Sequence, residues 1–202
     1  MKTKTEKTDK PEKAGKRQSI MQAAEHLFTS RRFHEITMDD VASSARVAKG
    51  TLYRYFHDKD DLFFQTSTSG FEELCLLLST NVPNDAPFAE QLLVASRHIS
   101  AFFDRRRPLL RMMQAEHGRL FQTHSAMRHR WLDKRRNLVS AVAQILGRGI
   151  LEGQVRKDLS SEMPAEVFLG LMRMRANDLA YLPETTRRHE VIIDLFRRGV
   201  SC

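Results

Sequence analysis

The stretch VAKGTLYRYFHDKDDL, Val47 to Leu62, sets Lys49, Gly50, Thr51, Tyr53, Arg54 and Tyr55 around an apolar spine of Leu52 and Phe56. Leu52 and Phe56 stand four apart, so on a helix they share one face. The spacing predicts a short helix ending near His57. Packing needs only Leu52, Phe56 and part of Tyr55, which leaves Lys49, Thr51, Tyr53 and Arg54 on the opposite side or its flanks. Gly50 costs such a helix about 1 kcal/mol against Ala. A glycine there makes sense where a large rigid surface must approach the backbone closely. The major groove of DNA is a surface of that kind: it admits a helix whose N-terminal residues reach base edges while Lys and Tyr bond phosphates. A polar helix facing only water is the alternative.

Helices are also predicted on both sides of this stretch. Asp58 can cap the next helix, with Asp60 and Asp61 favourably placed in its first turn. Upstream, Thr37 precedes MDDVASSA with Asp40 three residues on, a capping-box arrangement with Asp in place of the usual Glu. Val41, Ala42 and Ala45 give that helix its apolar face, and Arg46-Val47 forms the turn after it. Ile20, Ala24, Leu27 and Phe28 recur at helical spacing, predicting a first helix from Arg17 to near Ser30. Three short helices, the last two tightly joined, make a helix-turn-helix arrangement over residues 17–62. Residues 1–16, rich in Lys and Thr and nearly free of large apolar side chains, are expected to be a disordered basic arm. The arm is either a solubilising tail or a segment that touches phosphate.

Residues 63–202 also read as helical, with no strand pattern and no internal repeat. Leu62 to about Thr80 reads as one helix, stopped by NVPNDAP. Phe88 to about Arg106 follows, then a solvated turn at Arg105–Arg107 and a short helix from Pro108 to near Gly118. Ser125 to Leu151 reads as the longest helix, with Met127, Trp131, Leu138, Val142 and Ile145 near one face. Gly153 sits where a C-cap glycine is wanted. Ser160 or Ser161 can cap a helix running from about Met163 to Leu182 with Pro164 in its first turn, and Pro183 begins the last helix.

The bulk properties bound the function. A net charge of +8 points to a polyanionic partner without naming it. Two cysteines, Cys75 and Cys202, lie far apart in no motif, which argues against a disulfide framework and for a reducing cytoplasm. No apolar run is long enough for a membrane span, and the N-terminus lacks the apolar stretch of a signal peptide. His98, His117, His124 and His129 match no metal-ligand spacing, so neither metal nor cofactor is expected. Nothing resembles a nucleophile with its base, a phosphate-cradling Gly loop or a paired-carboxylate site, so an all-α enzyme is the weaker rival.

The segment LFTSRRFHEITMDDVASSARVAKGTLYRYFHDKDDL resembles the N-terminal region of the tetracycline-repressor (TetR) family of transcriptional regulators. The likeness rests on Phe28 and Phe33, the T-x-x-D-V-A start at Thr37, K-G-T-L-Y-x-Y-F from Lys49, and K-D-D-L from Lys59. Elsewhere it rests on helix order and the GQVRKDL turn from Gly153. The resemblance implies an all-α homodimer: a three-helix DNA-binding domain, then a larger helical domain for a small-molecule effector and for dimerisation. It implies that Thr37 and Lys59 hold phosphate, while Lys49, Thr51, Tyr53 and Arg54 meet the major groove of double-stranded DNA. Arg32 and Arg46 stand where the family usually has Gly. Either a positive φ is borne there, at a cost on the order of 1 kcal/mol, or the turns take another shape. Ala48 replaces a frequent Ser cap.

From Met163 to Leu182 one apolar stripe holds Val167, Phe168, Leu171, Met172 and Leu179, and another holds Ala165, Leu169, Ala176 and Ala180. A helix apolar on two sides is buried on two sides. With Val191, Ile192, Leu195 and Phe196 of the last helix, it can form a four-helix bundle with a second chain, or else belong to a larger monomeric core. Phe102, Met113, Trp131 and Met172 supply adaptable apolar surface for an unknown effector, or are simply core. The reading that follows is a cytoplasmic, ligand-responsive regulator, most directly a repressor; an architectural DNA-binding protein without effector is the alternative.

Overall fold

A computed structural model describes residues 9–200, with side chains from Ala14 to Val200. All regular structure among them is helical: α1 (Asp9–Ser30), a short 3-10 turn (Phe33–Glu35), α2 (Met38–Ser44), α3 (Lys49–Tyr53), α4 (Lys59–Thr68), α5 (Phe71–Asn81), α6 (Phe88–Thr123), α7 (Ser125–Leu151), α8 (Glu162–Asn177) and α9 (His189–Val200). α1 ends where its periodicity predicts but begins at Asp9, so Asp9 to Lys16, expected as disordered arm, is helical. Pro11 falls in the first turn, where a missing N–H interrupts no helical bond, and extending an existing helix costs far less than nucleating one. The rest of that arm, residues 1–8, lies outside the described residues.

The chain divides into two compact units. The first comprises the residues up to Ser69 together with Pro108–Arg128; the second comprises Gly70–Arg107 and the residues from His129 onward. In the first, α1 packs on α2 and α4, and α2 on α3. Ile20, Ala24 and Phe28 of α1, Val41 of α2, Leu52 of α3, Phe56 just after α3 and Leu62 of α4 are all buried and make the core of this unit. Phe63 lies 5.0 Å from both Phe28 and Phe33 between ring centroids. Fully burying one such ring stabilises by about 1.5–3 kcal/mol, so this cluster orients α1 and α4. The sequence boundary at residue 62 does not coincide with the edge of this unit.

Three predicted elements differ. The helix expected from Leu62 to Thr80 is broken between α4 and α5, because Gly70 adopts φ 87° and Ser69 is extended. The hydroxyls of Thr68 and Ser69 bond back to the carbonyls of Phe64 and Thr66, the local competition that ends helices. Conversely, the two helices expected on either side of Pro108 are one, α6, with Pro108 inside it; at 36 residues it exceeds the 27 of α7. Arg105–Arg107 are therefore helical rather than a turn. Finally, α8 stops at Asn177 and α9 begins at His189, so Pro183 starts a turn, with the N–H of Thr186 donating to its carbonyl at 3.0 Å.

The second unit closes through α6, α7, α8 and α9. Phe168 and Phe196 join α8 to α9 at 5.0 Å. Gly149 lies under Phe88: a Cβ added there would stand 2.6 Å from the ring. After α7, Gly153 has φ 68°, and the N–H groups of Gln154 and Val155 return to the Gly149 carbonyl, the C-cap expected from sequence. Arg175, 3% exposed, donates to the carbonyl of Arg187 and to the carboxylates of Asp104 and Glu184. Those bonds tie the connection before α9 to α8 and α6. No described helix is long and apolar enough to cross a membrane.

Candidate nucleic-acid interface

The second helix of the pair is positioned by what precedes it, beginning at Thr37. Thr37 is extended and its hydroxyl accepts from the Asp40 N–H at 3.1 Å, while Asp40 Oδ2 accepts from the Thr37 N–H at 2.8 Å. The Thr37 hydroxyl also donates to the same carboxylate at 2.7 Å. These bonds hold the Asp40 carboxyl below its ordinary value. The capping box predicted from sequence is present, and it occupies the Thr37 N–H and hydroxyl.

The turn that follows is strained at one residue. Arg46 has φ 55°, the left-handed conformation for which glycine would serve, whereas Arg32 is extended at φ −69°. The positive φ is thus borne at Arg46 alone, for about 1 kcal/mol. It allows the Val47 N–H to reach the Ala42 carbonyl at 3.0 Å and turns the chain between α2 and α3. Ala48 begins α3 with no side-chain cap.

α3 is shorter than predicted, ending at Tyr53, with Arg54 as its C-cap in helical geometry. Leu52 is fully buried and Phe56 nearly so, which anchors the helix as their spacing required. Lys49, Gly50, Tyr53 and Arg54 are exposed and Thr51 is half-buried. Tyr53 is 46% exposed, so its ring and hydroxyl are open to whatever meets the outer surface of α3. A Cβ built on Gly50 meets nothing within 4 Å, so no neighbour in the chain requires a glycine there.

Two lysines are less free than the sequence suggests. Lys49 Nζ lies 2.9 Å from both carboxylate oxygens of Asp39, and this bond holds its ammonium above the ordinary value. Lys59 Nζ donates to the carbonyls of Phe33 and Ile36 at 2.9 and 2.8 Å and sits 4.4 Å over the Phe33 ring. Burial pushes the Lys59 ammonium down. Two of its three N–H groups thus hold the segment before α2 in place.

A clamp on α4 was not legible in the sequence. Arg119 of α6 grips both oxygens of Asp60 at 2.8 and 2.9 Å, donates to Glu116 at 2.7 Å, and stacks 4.9 Å over Phe33. His124 Nε2 is 3.1 Å from Asp60 Oδ2. The hydrogen bonds from Arg119 are the main cause holding the Asp60 carboxyl below its usual range. Arg119 follows Asp60 by 59 positions, and no local pattern marks so distant a pair.

Of the four apolar residues singled out for an effector, Phe102, Trp131 and Met172 fall in the second unit and Met113 in the first. Phe71 bridges two of them, at 5.1 Å from Phe102 and 5.7 Å from Trp131. Met172 is fully buried, with its sulfur 3.6 Å from the Ser100 hydroxyl. Among the described residues no three His, Cys, Asp or Glu side chains gather as a metal site would need.

Residues 20–66, from the middle of α1 to the last turn of α4, match the family model described as bacterial regulatory proteins, tetR family. The chain belongs to the TetR family. This TetR-family chain is 22% identical over 167 residues to the fatty acid metabolism regulator protein of Bacillus subtilis, covering 79% of the chain and 80% of that protein. It is 24% identical over 167 residues to the transcriptional repressor BepR of Brucella suis, covering 81% and 79%. Its fold matches the crystal structure of the regulator FadR from Bacillus subtilis in complex with stearoyl-CoA, with a TM-score of 0.74 at 19% identity, over 91% of this chain and 98% of that one. The TetR-family chain is accordingly an all-helical transcriptional regulator with an N-terminal helix-turn-helix for DNA.

Proposed function

We propose that the chain is a repressor that binds a palindromic operator as a homodimer and is released by a small apolar or aromatic effector. The observation that carries the DNA half is the outer surface of α3, where the open Gly50 backbone lies among exposed Lys49, Tyr53 and Arg54. Gly50 lets a groove wall approach the backbone, Thr51, Tyr53 and Arg54 meet base edges and phosphates, and Lys49 contributes its charge. Thr37 and Lys59 serve mainly by orienting α2 and the segment before it; a phosphate contact from Lys59 uses its third N–H. The division is a DNA-binding part over 17–62 behind a basic arm, and an effector and dimerisation part over 63–202.

The dimer reading is supported by apolar residues left uncovered on α8 and α9. Val167 is 48% exposed and Leu195 60%, with Met163 and Val191 also exposed. Two symmetric copies would bury both helices in a four-helix bundle and present two recognition helices to two half-sites. Ala176 and Ile192 belong to the buried stripe and are core of the single chain. For the effector, Phe102, Trp131 and Met172 offer apolar contacts within the second unit; Met113, named with them from sequence, belongs to the first. The stearoyl-CoA held by the Bacillus subtilis neighbour supports an effector with a long apolar part. Such a ligand releases DNA only if it binds the DNA-incompetent form more tightly.

The test begins with duplexes selected from genomic fragments by the purified chain. Light scattering should report twice the chain mass of 23.4 kDa, and Leu195→Asp should halve it. Tyr53→Phe and Arg54→Ala should weaken binding to the selected duplex, Arg54→Ala by about 1–3 kcal/mol if it reads a base bidentately. A stearoyl-CoA titration followed by Trp131 fluorescence and by mobility shift should move both signals together. Unchanged duplex affinity in both variants would sink the DNA-interface assignment, and saturable binding near Trp131 without loss of duplex affinity would sink the coupling.

A further inference from the structure

The Asp39–Lys49 pair is hard to account for as a folding device. Asp39 stands in the first turn of α2, yet the capping of that helix is done by Asp40 and Thr37. Its carboxylate faces Lys49, the first residue of α3, with Nζ 2.9 Å from each oxygen, and the two side chains are 63% and 60% exposed. Ion pairs this open to water contribute little to stability, because solvent screens them and two flexible side chains must be held. An acid beside the recognition helix also repels phosphate, so on a surface that gains affinity from positive charge it works against binding in general. Apart from a weak attraction to the start of α2, which any acid in that turn supplies, the group it acts on is Lys49. A free lysine is a compact charge on a four-carbon stem that can reach many phosphate oxygens, whereas a tethered one presents its remaining N–H groups in one direction.

We propose that Asp39 is a specificity-determining residue acting through Lys49, holding the ammonium where it meets a guanine edge and keeping it from any phosphate within reach. Lysine donating to guanine O6 and N7 is a base-reading contact, while lysine on phosphate carries no sequence information. Asp39 is therefore a positioning residue: it lowers general affinity for DNA and raises the preference for one sequence. The inference rests on the DNA-binding reading of α3.

The test uses the full chain, a duplex selected from a random-sequence pool by the wild-type chain, and a scrambled duplex of the same composition. Asp39→Asn keeps the side-chain shape and removes the charge; a thermal melt should fall only slightly, since Asp40 still caps α2 and the charge lost is a weakly interacting, exposed one. Binding of the scrambled duplex should strengthen, and its dependence on log salt should steepen by about 0.9, the value for one added phosphate contact. The ratio of selected to scrambled affinity should fall about two- to five-fold, the range an exposed ion pair spans. Asp39→Glu should recover part of that ratio. In a Lys49→Ala background, Asp39→Asn should leave the ratio where Lys49→Ala alone puts it. An unchanged ratio and salt slope in Asp39→Asn overturn the proposal, and so does a full loss of preference from Asp39→Asn when Lys49 is already absent. Failure of the wild-type chain to select any duplex overturns the DNA-binding reading instead, so the two failures are told apart.

Discussion

Replacing Gly50 with alanine should move folding and DNA binding in opposite directions. Gly50 lies inside α3 with ordinary helical geometry, and an added Cβ has no neighbour within 4 Å. Alanine removes backbone freedom from the unfolded chain and is favoured in a helix, so the variant should gain about 0.4–1 kcal/mol. For a chain of this size that corresponds to a rise in midpoint temperature of up to about 2–4 °C. DNA seated on the α3 backbone meets the new methyl instead. Overfilling a well-packed contact costs about 1–3 kcal/mol, or about a five- to hundred-fold rise in Kd. Thermal melts and mobility shifts with one selected duplex, on the same preparations, read both quantities. A Gly50→Ala protein that melts lower would mean that the fold itself needs this glycine. One that binds DNA with unchanged affinity would mean that nothing approaches the backbone, and the outer surface of α3 would then not be the face that enters the groove.

Gly149→Ala should behave in the reverse manner: its Cβ would stand 2.6 Å from the Phe88 ring, so denaturant melts should show a loss of about 1–3 kcal/mol, with Phe88→Leu in the same chain recovering part of it. If Gly149→Ala is neutral, that packing is looser than its geometry. The Asp60–Arg119 pair predicts a pH dependence. Asp60 has a folded pKa depressed below the ordinary 3.8, so its contribution is fully present above 3.8 and fades as pH falls through the folded value. The gap in urea midpoint between wild type and Asp60→Asn should therefore be largest near neutral pH and shrink in acid; a gap that stays constant from neutral pH to well below 3.8 would refute the pairing.

How far the sequence reached depended on how local each cause was. The Thr37–Asp40 capping box, the Asp58 cap, the Gly153 terminus and the buried Leu52–Phe56 spine all depend on residues within a few positions of one another. Each stands in the structure as the spacing implied. The resemblance left open whether Arg32 and Arg46, both standing where the family usually has Gly, bear a positive φ; the structure puts it at Arg46 and leaves Arg32 extended. Where local signals competed, the sequence was ambiguous. Gly70 and Pro108 are both helix breakers by composition, yet Gly70 breaks the chain and Pro108 lies within a continuous helix.

The sequence by itself determined that the chain is helical, that a helix-turn-helix lies near its start, and which face of α3 the core leaves free. Only the tertiary structure decided what that face's charges do. Lys49 is held by Asp39, Lys59 is spent on the carbonyls of Phe33 and Ile36, and Asp60 is gripped by an arginine from α6. Periodicity reports which side chains must leave water. It carries no information on which polar partner a long, flexible cation finds, because that choice is made by atoms brought together across tens of residues when the core closes.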